Sequence, residues 1–193
     1  MSDNGEGGTF SNQTHSSLFL RKDLFMRYLK SFAVLLCVVL FAGAQVLAQN
    51  AVHDAAQRKI DEKKLQEYFL KNDLHPKRGP GGMYYSITKE GTGRLVLIGE
   101  RVKINYTGRL LDGPVFDSNT DPAFGHQEPF EVEVGAGRVI RGWEKGMQQL
   151  KKGSVATLYI PSIMGYGEEG AARIPANSIL IFDVEVLDVM KGE

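Results

Sequence analysis

The chain has 193 residues with 23 basic and 23 acidic side chains, so its formal charge is zero. Near-neutrality argues against nucleic acid as a partner, because phosphate binding depends on a basic surface. The length fits one domain of ordinary size with extensions, and a lone cysteine, Cys37, rules out an internal disulfide.

Residues 1–25 are rich in Ser, Asn, Gly and Thr and lack periodicity; they read as a disordered tail or as sequence ahead of a true start at Met26. Arg21, Lys22, Arg27 and Lys30 precede an apolar run from Phe32 to Ala44, and Val46-Leu47-Ala48 follows as a cleavage site before Gln49. A basic region, a short apolar stretch and small residues make a secretory signal over 26–48. An uncleaved membrane anchor through residues 32–48 is the rival reading, although a span needs roughly 20 apolar residues. Either way the body is expected on the far side of a membrane, released into a periplasm-like space or anchored facing it. Cys37 lies inside the apolar run after Leu36, where it is one more apolar residue.

Residues 49–75 are expected to form a helix, with Ile60, Leu65, Phe69 and Leu70 on a thin apolar stripe. Asp61-Glu62-Lys63-Lys64 and Glu67-Lys71 supply charge pairs along it. A thin stripe needs a neighbour, which is either the helix's own domain or a second copy in a homodimer through residues 50–75. The Pro- and Gly-rich segment 76–82 then reads as a linker and domain boundary, with the main domain over 83–193.

In that domain Tyr84–Thr88, Arg101–Leu111, Val115–Asp117, Phe130–Val134, Ser154–Ile160 and Ile179–Val189 read as strands, mostly by alternation of apolar and polar residues. Between them Ile140, Trp143, Met147 and Leu150 recur at three- and four-residue steps, the mark of one short amphipathic helix. Lys151 and Lys152 suit its negative end and Gly153 a left-handed stop. Connections this short require antiparallel pairing. The expected fold is therefore α+β: an antiparallel sheet of five to six strands curled around one short helix, with an N-terminal helix outside it. One sheet face is expected to be apolar and the other wet.

The four histidines (His15, His53, His75 and His126) show no ligand spacing, and there is no phosphate loop, nucleophile elbow or acid–base pair, so neither metal nor cofactor is expected. The signal is aromatic: Tyr106, Phe116, Phe130, Trp143, Tyr166 and Phe182 fall at apolar positions or loop tips near strand ends. A plain core would account for most of them. Two features resist that reading: Tyr106 and Tyr166 carry hydroxyls that need partners when buried, and Tyr166 lies in a Gly-flanked loop.

Val102-Lys-Ile-Asn-Tyr106-Thr-Gly108, Phe116-Asp117-Ser118, Pro129-Phe130, Gly135 to Gly137, Val139-Ile140-Arg-Gly-Trp143-Glu, Gly165-Tyr166-Gly167, Ile174-Pro175 and Phe182-Asp-Val-Glu-Val186 together resemble the FKBP-type peptidyl-prolyl isomerases over about residues 80–190, and the leading segments look like those of exported bacterial members. The resemblance implies a catalytic group of Tyr106, Phe116, Asp117, Tyr166 and Phe182, and substrate binding by Phe130, Val139, Ile140, Trp143 and Ile174. Trp143 would be the floor for the prolyl ring, and the Ile140 N–H and Tyr166 hydroxyl would hold substrate carbonyls. Asp117 would accept a hydrogen bond inside the pocket. The implied partners are proline-containing polypeptides and macrolide inhibitors; the implied role is folding assistance to exported proteins, without covalent chemistry. A non-catalytic proline-binding chaperone and a membrane-anchored assembly factor are the alternatives. The loops 118–129 and 168–173 depart from the smallest family members, and His126 in the first has no assigned role.

Overall fold

The computed structural model describes residues 52–192 and position 49. The expected tail and the signal or anchor over 26–48 lie outside the described residues. Among the described residues no helix is long and apolar enough to cross a membrane.

Helix α1 covers residues 52–71, a stretch free of Gly and Pro. It closes on Asp73, whose φ of 52° is left-handed, with Leu74 N–H donating to Phe69 O (2.9 Å) and Asp73 N–H to Leu70 O. That double closure satisfies the last carbonyls of the helix. Two of the expected charge partners act differently from the expectation. Lys63 pairs with Glu67 at 3.8 Å, whereas Asp61 turns inward and is buried.

Seven strands follow: β1 (Lys77–Arg78), β2 (Tyr84–Lys89), β3 (Arg101–Leu110), β4 (Val115–Ser118), β5 (Phe130–Glu133), β6 (Val155–Ile160) and β7 (Leu180–Met190). All pair antiparallel, in the order β1-β2-β6-β7-β3-β4 with β5 also on β3. Six strands have four residues or more; β1 is the addition. The segment expected as a linker is therefore part of the sheet, with Lys77 opposite Tyr85 and Arg78 opposite Tyr84.

β4 and β5 share one edge of β3: β5 takes its first half, from Arg101 to Ile104, and β4 its second, from Thr107 to Arg109. Asn119 bridges the gap between them. It is buried; its side-chain oxygen accepts the Tyr106 N–H at 2.7 Å, and its amide donates to Ile104 O and Glu128 O at 3.1 Å each. One side chain thus replaces the missing ladder and anchors the loop 119–129 at both ends.

Helix α2 (Arg141–Met147) lies on the concave face. Gly142 and Gly146 let it approach closely, since a Cβ at either position would run into Ile160 or Leu158 of β6. Trp143, Met147 and Leu150 meet Val102, Ile104, Leu158, Ile160, Leu180, Val184 and Val186 in the main core. The helix is shorter than its sequence period implies. It ends at Met147 and the chain continues as tight turns (Gln149 N–H to Gly146 O, Leu150 N–H to Met147 O), which still bury Leu150. Lys151 and Lys152 consequently pair with Glu90 and Asp188 rather than with the helix end.

The other sheet face is not uniformly wet. Leu65 and Phe69 of α1 pack on Tyr84, Tyr159, Ile179 and Ile181 in a second apolar cluster. Phe69 meets Tyr159 at 5.0 Å and Tyr84 at 5.2 Å between ring centroids, both edge-on. The inner part of the stripe on α1 is thus covered by its own domain.

Candidate active site

Trp143 points from α2 toward the mouth of the curled sheet and is 4% exposed. Tyr106 (5.2 Å, 83°), Phe182 (5.2 Å, 83°) and Phe130 (5.8 Å, 73°) stand edge-on around the indole. Phe116 completes the wall, perpendicular to Phe182 at 5.5 Å. These rings, with Asp117, Gly137, Arg138, Val139, Ile140 and Tyr166, line a cavity of about 500 Å³. Nine of the ten residues expected at the site therefore share one cavity. Ile174 lines an adjoining one of about 370 Å³ that shares Phe116, Asp117 and Tyr166 with the first.

Each wall has a local cause. Tyr106 and Phe182 come from the central strands β3 and β7, where they occupy apolar positions of the alternation. Between them Gly108 leaves room: a Cβ there would come within 2.7 Å of both the Phe116 and Phe182 rings. The segment before α2 is pinned by Glu144, whose carboxylate accepts the N–H groups of Gly135 and, at 2.9 Å, Gly137. Both glycines are left-handed (φ 91° and 69°), so this turn presents Val139 and Ile140 at the rim. The indole N–H of Trp143 is buried and has no protein partner.

Polar groups collect on one side. The Tyr106 hydroxyl donates to Asp117 Oδ2 at 2.7 Å, and the Ser118 N–H donates to Asp117 Oδ1 at 3.0 Å. Burial first, and then the Asp117 carboxylate, push the Tyr106 phenol above its ordinary pKa, so it stays a donor. His126 Nε2 lies 2.8 Å from Asp117 Oδ1. This histidine had no role in the sequence reading; only the return of the loop 119–129 brings it to the carboxylate. Tyr166, 41% exposed, lines this cavity and the adjoining one together with Phe116 and Asp117.

A larger groove of about 760 Å³ runs between α1 and the β3–β4 turn, but Lys64, Glu67, Lys71, Arg109 and Asp112 are among its lining residues and Tyr68 is its one aromatic ring. The aromatic cavity is the better place for an apolar ring.

The structure is thus an antiparallel sheet on one short helix, with an open aromatic cup between them. The model of the FKBP-type peptidyl-prolyl cis-trans isomerase family matches residues 94–187. A probable FKBP-type peptidyl-prolyl cis-trans isomerase of Haemophilus influenzae is 41% identical over 136 residues, covering 70% of this chain and 54% of that protein. The FKBP-type peptidyl-prolyl cis-trans isomerase FkpA of Escherichia coli is 36% identical over 136 residues, covering 70% and 48%. An FK506-binding protein of Neisseria meningitidis is 40% identical over 110 residues, covering 56% of this chain and 97% of its own. The chain belongs to the FKBP-type peptidyl-prolyl cis-trans isomerase family. It spans about half the length of the Haemophilus and Escherichia relatives.

Proposed function

We propose that the chain accelerates cis–trans rotation about X–Pro bonds in polypeptides, and that its substrates are exported proteins. One observation carries the reading: a nearly buried indole forms the base of an open cup walled by perpendicular rings. A prolyl ring fits such a base, and few other peptide side chains offer a compact apolar ring beside a backbone amide.

Rotation of the amide sacrifices resonance and costs about 18–20 kcal/mol; unassisted, it takes tens to hundreds of seconds. The planar amide is more polar than the twisted one. Moving it from water into the cup weakens solvation of the planar form more than of the twisted form, which lowers the barrier. Trp143 and Phe130 seat the ring, and Phe116, Phe182 and Tyr106 wall in the twisting bond. The Ile140 N–H and the Tyr166 hydroxyl hold the flanking carbonyls. Asp117, fixed by Tyr106 and Ser118, faces the twisting amide. No covalent bond forms or breaks.

Export rests on the signal-like sequence over 26–48. The mature N-terminus, read after cell fractionation, separates a cleaved signal from an anchor. Relatives named as FK506-binding proteins support affinity of the same cup for macrolides of that class. Self-association through residues 50–75 would use the side of α1 bearing Ile60 and Leu70, both exposed; an unchanged mass by light scattering after Ile60→Glu and Leu70→Glu would reject it.

The deciding experiment measures isomerisation of a short proline peptide by the wild type, Phe182→Ala and Asp117→Val. Each variant should lose at least severalfold in kcat/KM while circular dichroism shows an intact fold. Equal rates in all three would remove the cup from the mechanism.

A further inference from the structure

We propose that Asp61, on the outer helix α1, is a positioning residue for the cleft, holding the turn from which Tyr166 is presented. In its catalytic part this rests on the isomerase reading above.

Asp61 is 0% exposed although it sits on a charged helix, and among the described residues no cation is one of its hydrogen-bond partners. An ionisable side chain so placed is costly unless its oxygens are satisfied. Here they are. Asp61 Oδ2 accepts the Ser162 N–H at 2.8 Å and the Ser162 hydroxyl at 2.7 Å, and Oδ1 accepts from Gln57 Nε2 at 2.8 Å. Ser162, also 0% exposed, passes the constraint on. Its carbonyl accepts the N–H groups of both Gly165 and Gly167, each at 2.9 Å. Those glycines flank Tyr166. A single chain of hydrogen bonds thus runs from Asp61 through Ser162 to the two glycines on either side of Tyr166.

Asn177 N–H to Gly167 O (2.7 Å) and Gly170 N–H to Tyr166 O (3.2 Å) tie the far side of the turn, and Ser162 ties its near side, so its geometry responds to where Ser162 is held. α1 itself does not depend on Asp61, because Leu65 and Phe69 dock it on the sheet independently. Near the start of α1, His53 faces Glu168 at 3.2 Å, a second contact from the helix to the same loop. The N-terminal helix is accordingly part of the machinery that shapes one rim of the cleft.

The test uses the full chain with Asp61→Leu, Asp61→Asn, Tyr166→Phe and the Asp61→Leu/Tyr166→Phe double variant. Amide hydrogen exchange at Gly165 and Gly167 is read beside isomerisation of a short proline peptide. Asp61→Leu should speed exchange at both glycines and lower kcat/KM by between about tenfold and the roughly hundredfold that a 1 Å misplacement can cost. Asp61→Asn should restore most of both, since one amide oxygen can accept both Ser162 donors while Gln57 turns its own amide. In the Tyr166→Phe background Asp61→Leu should add little, because the two changes act through one group. If Asp61→Leu does not fold, Ser162→Ala serves in its place, with a smaller effect in the same direction. Unchanged exchange at the two glycines overturns the proposal, as does an equal loss of rate with and without the Tyr166 hydroxyl. A wild type without isomerase activity sinks the functional reading instead, and the exchange data still decide whether Asp61 holds the turn.

Discussion

Tyr106 and Asp117 sit on neighbouring strands and share a 2.7 Å hydrogen bond that crosses from β3 to β4. Tyr106→Phe removes the donor but leaves Asp117 with the Ser118 N–H and His126. A hydrogen bond to a charged group is worth about 1.5–3 kcal/mol, so the variant should lose stability up to that scale and lose activity with it. The loss should depend on pH. The folded phenol titrates above its ordinary value of 10.0, so its stabilisation is complete below that pH and fades as pH rises past it. Urea unfolding of both proteins from neutral to strongly alkaline pH checks this. A gap between them that widens with pH would contradict it.

Gly108 keeps the cup open. Gly108→Ala should push the Phe116 and Phe182 rings aside, at a cost of about 1–3 kcal/mol for overpacking. Catalysis should suffer more than folding, because the displaced rings are walls of the cavity. Thermal unfolding and peptide isomerisation on the same sample give the comparison; full activity with full stability would show that the rings have room to spare.

Leu65 tests whether α1 belongs to the domain. It is fully buried against the outer face of the sheet, and Leu65→Ala should cost about 2–5 kcal/mol. The loss should appear in the single unfolding transition followed through Trp143 fluorescence. Were α1 an independent arm, the tryptophan transition would stay where it was.

Arg94 and Glu100 carry an acid-sensitive contribution. Glu100 accepts from Arg94 (Nη1 at 3.0 Å) and from the Leu97 N–H at 2.8 Å, and these bonds, the Arg94 contact first, hold its carboxyl below the ordinary value of 4.5. Because the folded pKa is lowered, the contribution is fully present above the ordinary value and is lost as pH falls through the folded one. Arg94→Ala should therefore lower the urea midpoint at neutral pH and converge on the wild type in acid solution, once Glu100 is protonated in the folded state. Parallel curves at both pH values would refute the assignment.

Much of this architecture is legible in the chain. Period-two alternation marks β3, β5, β6 and β7 to within a residue or two, because each has one face in the core. The aromatic set of the cup is readable because its members sit at apolar positions that a plain core does not require to be Tyr. What escapes the eye depends on partners distant in sequence. β1 is two residues among prolines and glycines, and only the waiting edge of β2 makes it a strand. Tyr84, Tyr159 and Ile181 look solvent-facing until α1 covers them. Asp61 reads as one more surface charge; its true partner, Ser162, is 101 residues away. Asn119 and His126 act through a loop whose path no local pattern specifies.

β7 comes last in sequence yet lies between β6 and β3, and its register with β3 runs the whole way from Arg101–Met190 to Leu110–Leu180. The earlier strands cannot close a core without it. The native core therefore cannot form until β7 itself is available, and deleting that strand would leave two half-sheets with open edges.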